Sequence, residues 1–300
     1  MRHVFILNQN SLCNRAAGCY VNIKEICESH DLDFVIHATS SIAELKEIVD
    51  RYHTAKDVVY YAAGGDGTLQ ALVNAVDLSH AVIQYLPFGS GNNAYVTFYG
   101  QSFDLKRDIL STDIFKADLG KVNGEYFVTM FGLALDAHIG SNLEKFRGIP
   151  VSGKVRYFIS IFYTLAFDMQ PIQVIMTADG QTERKVSSFI SVTNGPTIGG
   201  RTPISPNSSA FDGRLNALVS DRLTRLQALK LFSKISSGTH LSSKRVSQYL
   251  FKEMVFQSDS ELLYEIDGEP RKSDFIRVGV CRNSITLKGS QCADLSLSQG

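Results

Sequence analysis

The stretch that decides the fold is Tyr61-Ala62-Ala63-Gly64-Gly65-Asp66-Gly67-Thr68, which joins an apolar strand to a segment of helical spacing. Its glycines let a ligand approach the backbone closely and permit positive φ angles. N–H groups at the start of a following helix attract anions, phosphate above all. Asp66 is unusual at an anion site unless it orients a sugar, a metal ion or a water. Taken alone, the loop also fits an ordinary strand-to-helix turn.

A second glycine loop, Leu86-Pro87-Phe88-Gly89-Ser90-Gly91-Asn92-Asn93, follows the next predicted strand. Consecutive strands of a parallel sheet end on the same side, so we expect both loops to open onto one crevice. Neither loop matches the dinucleotide pattern G-x-G-x-x-G or the pattern G-x-x-x-x-G-K-[ST]. Together they predict a nucleotide site of another kind.

The first 118 residues alternate strands and helices, which predicts a parallel sheet with helical crossovers. Tyr20, Ile23 and Cys27 are expected to share one helix face, and Ser41 with Glu44 resembles a capping box. The predicted strands are Val4–Leu7, Phe34–Ile36, Val58–Ala62 and Ala81–Leu86, and a helix is predicted over Leu69–Val76.

From residue 119 onward, strands are joined by turn dipeptides that predict hairpins. These are Asn123-Gly124, Asp179-Gly180, Asp212-Gly213 and Asp267-Gly268, with helical patterns at Gly153–Phe167 and Leu223–Ile235. The fold class is therefore α/β: an N-terminal parallel-sheet lobe with a nucleotide cleft (1–118), followed by a mostly antiparallel β-rich lobe (119–284). The tail, 285–300, is a candidate to pack back on the first lobe.

Composition excludes several classes of protein. The chain has 30 Lys+Arg and 30 Asp+Glu, so it lacks the basic surplus of a dedicated nucleic-acid binder, and we expect no nucleic-acid partner. Five cysteines show no metal-ligand spacing, and the N-terminus reads as a first strand rather than a signal peptide. The longest apolar stretch, Tyr157–Phe167, is shorter than the roughly 20 residues of a spanning helix. A cytoplasmic location is expected.

G-G-D-G-T at 64–68 followed by L-P-x-G-[TS]-x-N at 86–92 resembles the diacylglycerol kinase and sphingosine kinase catalytic-domain family, particularly the soluble bacterial lipid kinases. The resemblance covers most of the chain. Its further motifs are Asp118-Leu119-Gly120, Gly132–Ala137, Asn194-Gly195 with Gly199-Gly200, Asp212-Gly213 and Ile266-Asp267-Gly268-Glu269.

The resemblance implies an ATP-dependent lipid kinase that phosphorylates the hydroxyl of diacylglycerol or a related lipid alcohol. It assigns Glu269 as general base and Asp66 as a second catalytic residue; a solvated turn carboxylate is the alternative for Glu269. The residues it implies at the nucleotide are Asn8, Ser11, Thr39, Gly64, Gly65, Asp66, Gly67, Thr68, Gly89, Ser90 and Asn92.

The same resemblance implies a Mg²⁺ or Ca²⁺ site formed by the Asp212 side chain with main-chain oxygens of Ser209 and Arg214. A plain Asp-Gly hairpin is the alternative at that position. The chain departs from the family pattern at Asn8–Leu12, which lacks the usual Pro and Gly. It departs again at Ala71, where Glu is usual, and at Asn93, where Asp is common.

These departures leave a non-catalytic nucleotide- or lipid-binding protein open as an alternative. A kinase of a soluble substrate is a third candidate, since G-G-D-G-T also occurs in NAD kinases. Basic residues at Lys145, Arg147, Lys154 and Arg156 precede the apolar run and predict transient peripheral membrane contact. A basic loop leading into a buried core helix is the favoured explanation of these residues. A homodimer is also left open.

Overall fold

The computed structural model describes residues 1–12, 16–55, 57–89, 91–100, 102–146, 148–149, 151, 153–199 and 202–291. It divides into two compact units. Unit 1 contains Met1–Asp118 together with the chain from Asn283, and unit 2 contains Leu119–Arg282. Strand β14, Glu269–Lys288, carries the chain from unit 2 back into unit 1.

Unit 1 alternates strands and helices. Its elements are β1 (Arg2–Asn8), α1 (Gln9–Leu12), α2 (Ala16–Ser29), β2 (Phe34–Thr39), α3 (Ile42–Tyr52), β3 (Val58–Gly64), α4 (Asp66–Val73), β4 (Val82–Pro87), α5 (Asn93–Tyr99) and α6 (Leu105–Leu110). The strands are parallel in the order β2-β1-β3-β4, and the end of β14 adds to β4 through Thr286 and Leu287. This confirms the predicted parallel sheet.

Unit 2 is mainly antiparallel. After β5 (Ile114–Val122), which begins in unit 1, its elements are β6 (Glu125–Phe127), β7 (Met130–Ala134), α7 (Leu135–Lys145), α8 (Gly153–Tyr163), a π-helical turn (Thr164–Asp168), β8 (Ile172–Ala178), β9 (Gln181–Ser187), β10 (Phe189–Thr193), β11 (Leu215–Ser220), α9 (Arg225–Ser236), a 3₁₀ turn (His240–Ser242), β12 (Val246–Phe251), β13 (Glu253–Ile266) and β14. The antiparallel order is β12-β11-β10-β7-β13-β14, and β8 with β9 pairs onto β13.

Each unit has its own apolar core. In unit 1 every residue of β3 is buried, as expected for a parallel strand covered on both faces. In unit 2 one core is formed by side chains of the antiparallel strands, and Phe131, Phe256 and Ile266 of this core are fully buried. A second core packs α7, α8 and α9 against β10 and β11 through residues such as Ile161 and Leu231.

Several local predictions are wrong. Asp212-Gly213 forms no hairpin, because the described residues between β10 and β11 contain no strand and the Asp212 carboxylate instead accepts the Arg214 N–H. Helix α4 starts at Asp66, three residues before the predicted Leu69, because the glycine loop itself supplies its first turn. Tyr20 is 45% exposed, since Cys19 takes the buried position on α2.

Other predictions are confirmed. Asn123-Gly124, Asp179-Gly180 and Asp267-Gly268 each connect paired antiparallel strands. Ser41 caps α3 by accepting the Glu44 N–H. Among the described helices, none combines the length and apolar character needed to cross a bilayer.

Candidate functional site

The predicted nucleotide residues of unit 1 lie at the carboxyl ends of its parallel strands. Asn8 is paired with Thr39 in register, and Gly64 with Pro87. The side chain of Thr39 is buried, and α4 begins just beyond Gly64. The first N–H groups of an α-helix have no acceptor within the helix, so the start of α4 can receive an anion. This edge therefore gathers the predicted set, except Ser90, which lies outside the described residues.

The two glycine loops pass each other in backbone contact. Gly64 O accepts the N–H groups of Phe88 at 2.8 Å and Gly89 at 3.0 Å. A methyl group at Gly89 would lie 2.5 Å from Gly65 Cα, so a side chain at position 89 would force the loops apart. Gly67 has open space where a side chain would project. Glycine is thus required at 89 for packing, while Gly67 leaves room beside the helix start.

Asn8 anchors the chain that follows β1. Its Nδ2 donates to Thr68 Oγ1 at 2.9 Å, and its Oδ1 accepts the N–H groups of Asn10 at 3.0 Å and Ser11 at 3.4 Å. A methyl group at Gly65 would lie 3.9 Å from Ser11 Oγ. The side chain of Asn8 therefore orders a short helical turn, α1, without the Pro and Gly of the family pattern.

Asp66 faces the second glycine loop rather than the start of its own helix. Its carboxylate accepts N–H groups from Asn93 at 3.0 Å and Ala94 at 3.1 Å, and the Tyr85 hydroxyl at 3.1 Å. Burial raises its pKa, although these hydrogen bonds oppose the shift. The carboxylate thus holds the start of α5 in place. Its assignment as a catalytic residue stays a prediction.

Asn92 and Asn93 shape the end of the second loop. Asn92 adopts a left-handed conformation with φ of 55°, and its Nδ2 donates to Pro87 O and Gly89 O at 3.0 Å each. Asn93 Nδ2 lies 3.4 Å from Asp66 Oδ2. An Asp at position 93 would place a second carboxylate beside half-buried Asp66, whereas the amide supplies a donor.

Glu269 belongs to unit 2, where it opens β14 opposite Ile266 and is exposed. The hairpin before it is fixed by half-buried Asp267, whose carboxylate accepts the N–H groups of Val128 at 2.7 Å, Thr129 at 2.9 Å and Met130 at 3.0 Å. Burial raises the pKa of Asp267 to about 6. Of the two acids in the I-D-G-E motif, one fixes the turn and the other is displayed to solvent.

Two acids that were not predicted, Asp136 and Glu265, lie together in unit 2. A methyl group at Gly132, on β7 between them, would lie 2.6 Å from Asp136 Cβ and 3.0 Å from Glu265 Oε1. Burial raises the pKa of Asp136 to about 7. Burial and the nearby Asp136 carboxylate raise the pKa of Glu265 well above its usual range. Asp136 accepts from the Ser191 hydroxyl and Glu265 from the Gly268 N–H.

The pair consequently holds a proton near neutral pH. Asp136 could have been found in the Gly132–Ala137 motif, where it is the only charged residue. No sequence pattern identified Glu265, because an acid next to Tyr264 in a predicted strand is expected to face solvent.

Asp136 also forms part of the wall of an apolar pocket in unit 2. The pocket has a volume of about 50 Å³ and lies among α8, α9 and β10, lined by side chains such as Ile161, Phe189 and Leu231. Tyr157 adds its ring, which packs against Gly199, where a methyl group would lie 3.2 Å from Tyr157 Cε1. Apolar side chains with one acidic residue among them form a lining that suits an apolar group next to a polar one.

The residues predicted to hold a metal ion form a weak donor set. Asp212 is exposed, and its Oδ1 accepts the Arg214 N–H at 2.9 Å. Within the described part of the chain, no three His, Cys, Asp or Glu side chains converge on one point. One carboxylate with main-chain oxygens does not make a resident metal site, because Mg²⁺ at such a place depends on substrate phosphates for further ligands.

These features define a protein with a parallel α/β unit and a mainly antiparallel β-rich unit; in unit 1 the two glycine loops lie at the carboxyl ends of the strands, an arrangement called the glycine edge below. Residues 2–122 match the model of the diacylglycerol kinase catalytic domain, and residues 130–287 match that of the YegS C-terminal NAD kinase beta sandwich-like domain. The second match covers more than half of the chain. The chain belongs to the family that combines these two domains.

Similar proteins carry related names. A Staphylococcus haemolyticus protein named "Putative lipid kinase SH2167" is 29% identical over 225 residues, covering 73% of this chain and 71% of that protein. The Staphylococcus aureus protein "Putative lipid kinase SAS0691" is 26% identical over 281 residues, covering 88% of each chain. A crystal structure titled as a "putative diacylglycerol kinase" from Bacillus anthracis is 18% identical, with a TM-score of 0.77 over 96% of this chain and 97% of that one. At that identity, the likeness shows the fold.

Proposed function

We propose that this protein is an ATP-dependent lipid kinase that transfers phosphate to the hydroxyl of diacylglycerol or a related lipid alcohol. The observation that carries the proposal is the apolar pocket of unit 2 with Asp136 in its wall. A soluble dinucleotide is polar, so a kinase acting on it would not require a pocket lined by Ile161, Phe189 and Leu231. Family membership and the names of the relatives agree with the proposal.

On the donor side, the glycine edge of unit 1 binds the ATP phosphates. The open side of Gly67 and the N–H groups at the start of α4 receive phosphate oxygens, and Asn8 holds Thr68 in place. Asp66 keeps the second glycine loop in register through Asn93 and Ala94. A Mg²⁺ ion bound with ATP would offset the charge of its phosphates.

On the acceptor side, the apolar pocket receives part of the lipid chain, and Asp136 accepts a hydrogen bond from a polar group of the lipid. Glu269 is the general base: it takes the hydroxyl proton as the lipid oxygen bonds to the γ-phosphorus and the bond to the ADP oxygen breaks. Such a base contributes about 10²–10⁴-fold to the rate. Asp267 positions the turn that displays it.

The departures at Asn8 and Asn93 are compatible with an active enzyme. The Asn8 side chain orders the turn through two hydrogen bonds, although the usual Pro and Gly are absent. Asn93 donates hydrogen bonds to Asp66, whereas an Asp at this position would add a second negative charge. Ala71 is buried in α4, and nothing in the structure explains the loss of Glu there.

Phosphate transfer from radiolabelled ATP to a panel of lipid alcohols tests the proposal. Glu269→Gln should lower kcat by about 10²–10⁴-fold with an unchanged unfolding midpoint. Glu261→Gln, at an exposed strand position in the same unit, is the matched control and should keep wild-type activity. Full activity of Glu269→Gln removes the base assignment.

Calorimetric titration with ATP separates the alternatives. ATP binding without transfer to any lipid would support a non-catalytic nucleotide-binding protein. Transfer to NAD rather than to lipids would support the soluble-substrate kinase.

A further inference from the structure

Helix α8 is apolar on the side that faces solvent as well as on the side that faces the core. Ile161 and Leu165 pack inside unit 2, whereas Val155, Phe158 and Phe162 recur at helical spacing on the opposite side, 46%, 54% and 58% exposed. Phe167, in the π-helical turn, is 69% exposed. The core does not require these aromatic side chains. An exposed apolar patch of this kind marks an interaction surface.

Helix α9 extends the exposed apolar surface. Leu226 and Leu229 are 62% and 42% exposed, while Leu231 and Ile235 of the same helix pack with Ile161 in the core. Arg225 Nε donates to Leu165 O at 3.1 Å, which ties the start of α9 to the π-helical turn. We call the exposed side chains Val155, Phe158, Phe162, Phe167, Leu226 and Leu229 the aromatic face.

Basic residues outnumber acids in the elements that form the aromatic face, although the whole chain is neutral; the acid Asp168 ends the π-helical turn next to Phe167. Helix α9, RLQALKLFSKIS, contains three basic residues and no acid, and Arg225, Lys230 and Lys234 are exposed. The sequence of α8, GKVRYFISIFY, also contains no acid. The basic residues predicted to attract a membrane contribute less, because Lys145 lies 3.7 Å from Asp168 and Arg156 donates to Ile149 O. Arg147 and the side chain of Lys154 lie outside the described residues.

The aromatic face meets the apolar pocket at Phe158, which is exposed and also lines the pocket. We propose that the aromatic face of α8 and α9 docks on an anionic lipid bilayer, with Phe162 and Phe167 in the acyl region and the α9 lysines at the headgroups. The inference deepens the proposed lipid kinase function and rests on it for its purpose, since docking places the pocket beside its lipid. Basic residues next to a membrane surface and buried aromatic side chains together supply such binding.

A second copy of this chain is a poorer occupant. Pairing two identical faces would bring the α9 basic residues toward one another, and like charges opposed across an interface are unfavourable. An anionic bilayer offers the opposite charge and an apolar interior.

The absence of tryptophan from the chain allows a direct test. Phe162→Trp places a single fluorophore on the aromatic face. Phe275→Trp places one at a strand position of the same unit that is also exposed, at 44%. Each variant is titrated with vesicles of phosphatidylcholine alone and of phosphatidylcholine with phosphatidylglycerol, with and without brominated acyl chains.

The Phe162→Trp emission should shift to the blue and be quenched by brominated chains on anionic vesicles, while the Phe275→Trp emission stays unchanged. Phe162→Ser with Phe167→Ser should weaken co-sedimentation with anionic vesicles at least tenfold. Lys230→Ala with Lys234→Ala should weaken it by about tenfold and remove the preference for anionic lipid. Equal behaviour of the two tryptophans, or no vesicle binding by the wild type, would overturn the proposal.

Activity on diacylglycerol dispersed in detergent keeps this inference separate from the kinase proposal. The double serine variant should retain that activity and its unfolding midpoint. Phosphate transfer in detergent without vesicle binding would overturn the docking proposal and leave the kinase proposal standing. Insertion of the Phe162→Trp indole into the bilayer without phosphate transfer to any lipid would support docking and overturn the kinase proposal. Loss of a dimer in the double serine variant, measured by light scattering and without vesicle binding, would assign the face to a second copy.

Discussion

Asp66 of unit 1 and the pair Asp136 and Glu265 of unit 2 differ in how many hydrogen-bond donors their carboxyl groups receive. In unit 1, the Asp66 carboxylate accepts hydrogen bonds from two backbone N–H groups and a tyrosine hydroxyl. In unit 2, the structure gives Asp136 the Ser191 hydroxyl and Glu265 the Gly268 N–H. A carboxylate with many donors stabilises its surroundings, whereas a buried pair with few donors holds a proton. Asp66 thus orders a loop, whereas Asp136 of the acid pair lines the apolar pocket.

The largest effect should come from removing the well-satisfied acid. Asp66→Ala removes the acceptor of the Asn93 and Ala94 N–H groups and the nearer of two acceptors of the Tyr85 hydroxyl. Each buried donor left unpaired costs about 1–3 kcal/mol, so the free energy of unfolding should fall by about 4 kcal/mol. Urea denaturation measures it. Asp50→Asn, at an exposed position on α3, is the control and should leave the free energy of unfolding unchanged. A loss below about 1 kcal/mol for Asp66→Ala would contradict the role of Asp66 in holding the second glycine loop.

An intermediate effect, with a sign that depends on pH, is expected for the poorly satisfied pair. The folded pKa of Asp136, about 7, exceeds the unfolded value near 4, so the folded state binds more protons and loses stability as pH rises between these values. Asp136→Asn mimics the protonated acid. It should match the wild type at pH 4 and be more stable by about 2 kcal/mol at pH 8.

The measurement is urea unfolding at both pH values. Asp259→Asn, an exposed acid of the same unit, serves as the control and should show no such pH dependence. A gain that is the same at pH 4 and pH 8 would mean that Asp136 is already ionised in the folded protein.

The smallest effect sharpens the comparison from the opposite direction. Asn93→Asp turns the donor beside Asp66 into a second carboxylate, which makes unit 1 resemble the acid pair of unit 2. Like charges at a buried site raise one pKa of the pair, so the variant should lose about 1.5 kcal/mol at pH 8 and recover part of it at pH 5. Thermal unfolding at the two pH values shows this. Asn207→Asp makes the same charge change at an exposed position and should be neutral at both.

Much of the fold could be predicted because its signals are local. The apolar run of β3 followed by glycines predicts a buried strand and a loop at its end, and three of four turn dipeptides join paired strands. Asp212-Gly213 failed because a turn dipeptide does not reveal whether strands flank it. Tyr20 failed because α2 turns a neighbouring residue, Cys19, toward the core.

The candidate site was predictable in its glycines and less so in its acids. Gly64, Gly65 and Gly89 lie where the two loops meet, as their spacing after successive strands indicates. The direction of the Asp66 carboxylate depends on Asn93 and Ala94, which are 27 and 28 residues away. Partners at that separation leave no trace in a local pattern.

The sequence by itself determined the parallel first lobe, the hairpin-rich second part and the family, because strand periodicity, glycine turns and ordered short motifs are written in consecutive residues. Only the tertiary structure decided which acidic side chains are desolvated by burial. Glu265 is 3% exposed and packs with Asp136 over Gly132, although both of these partners lie far earlier in the chain. Desolvation is set by everything that surrounds a group, so it appears only once distant segments have packed together.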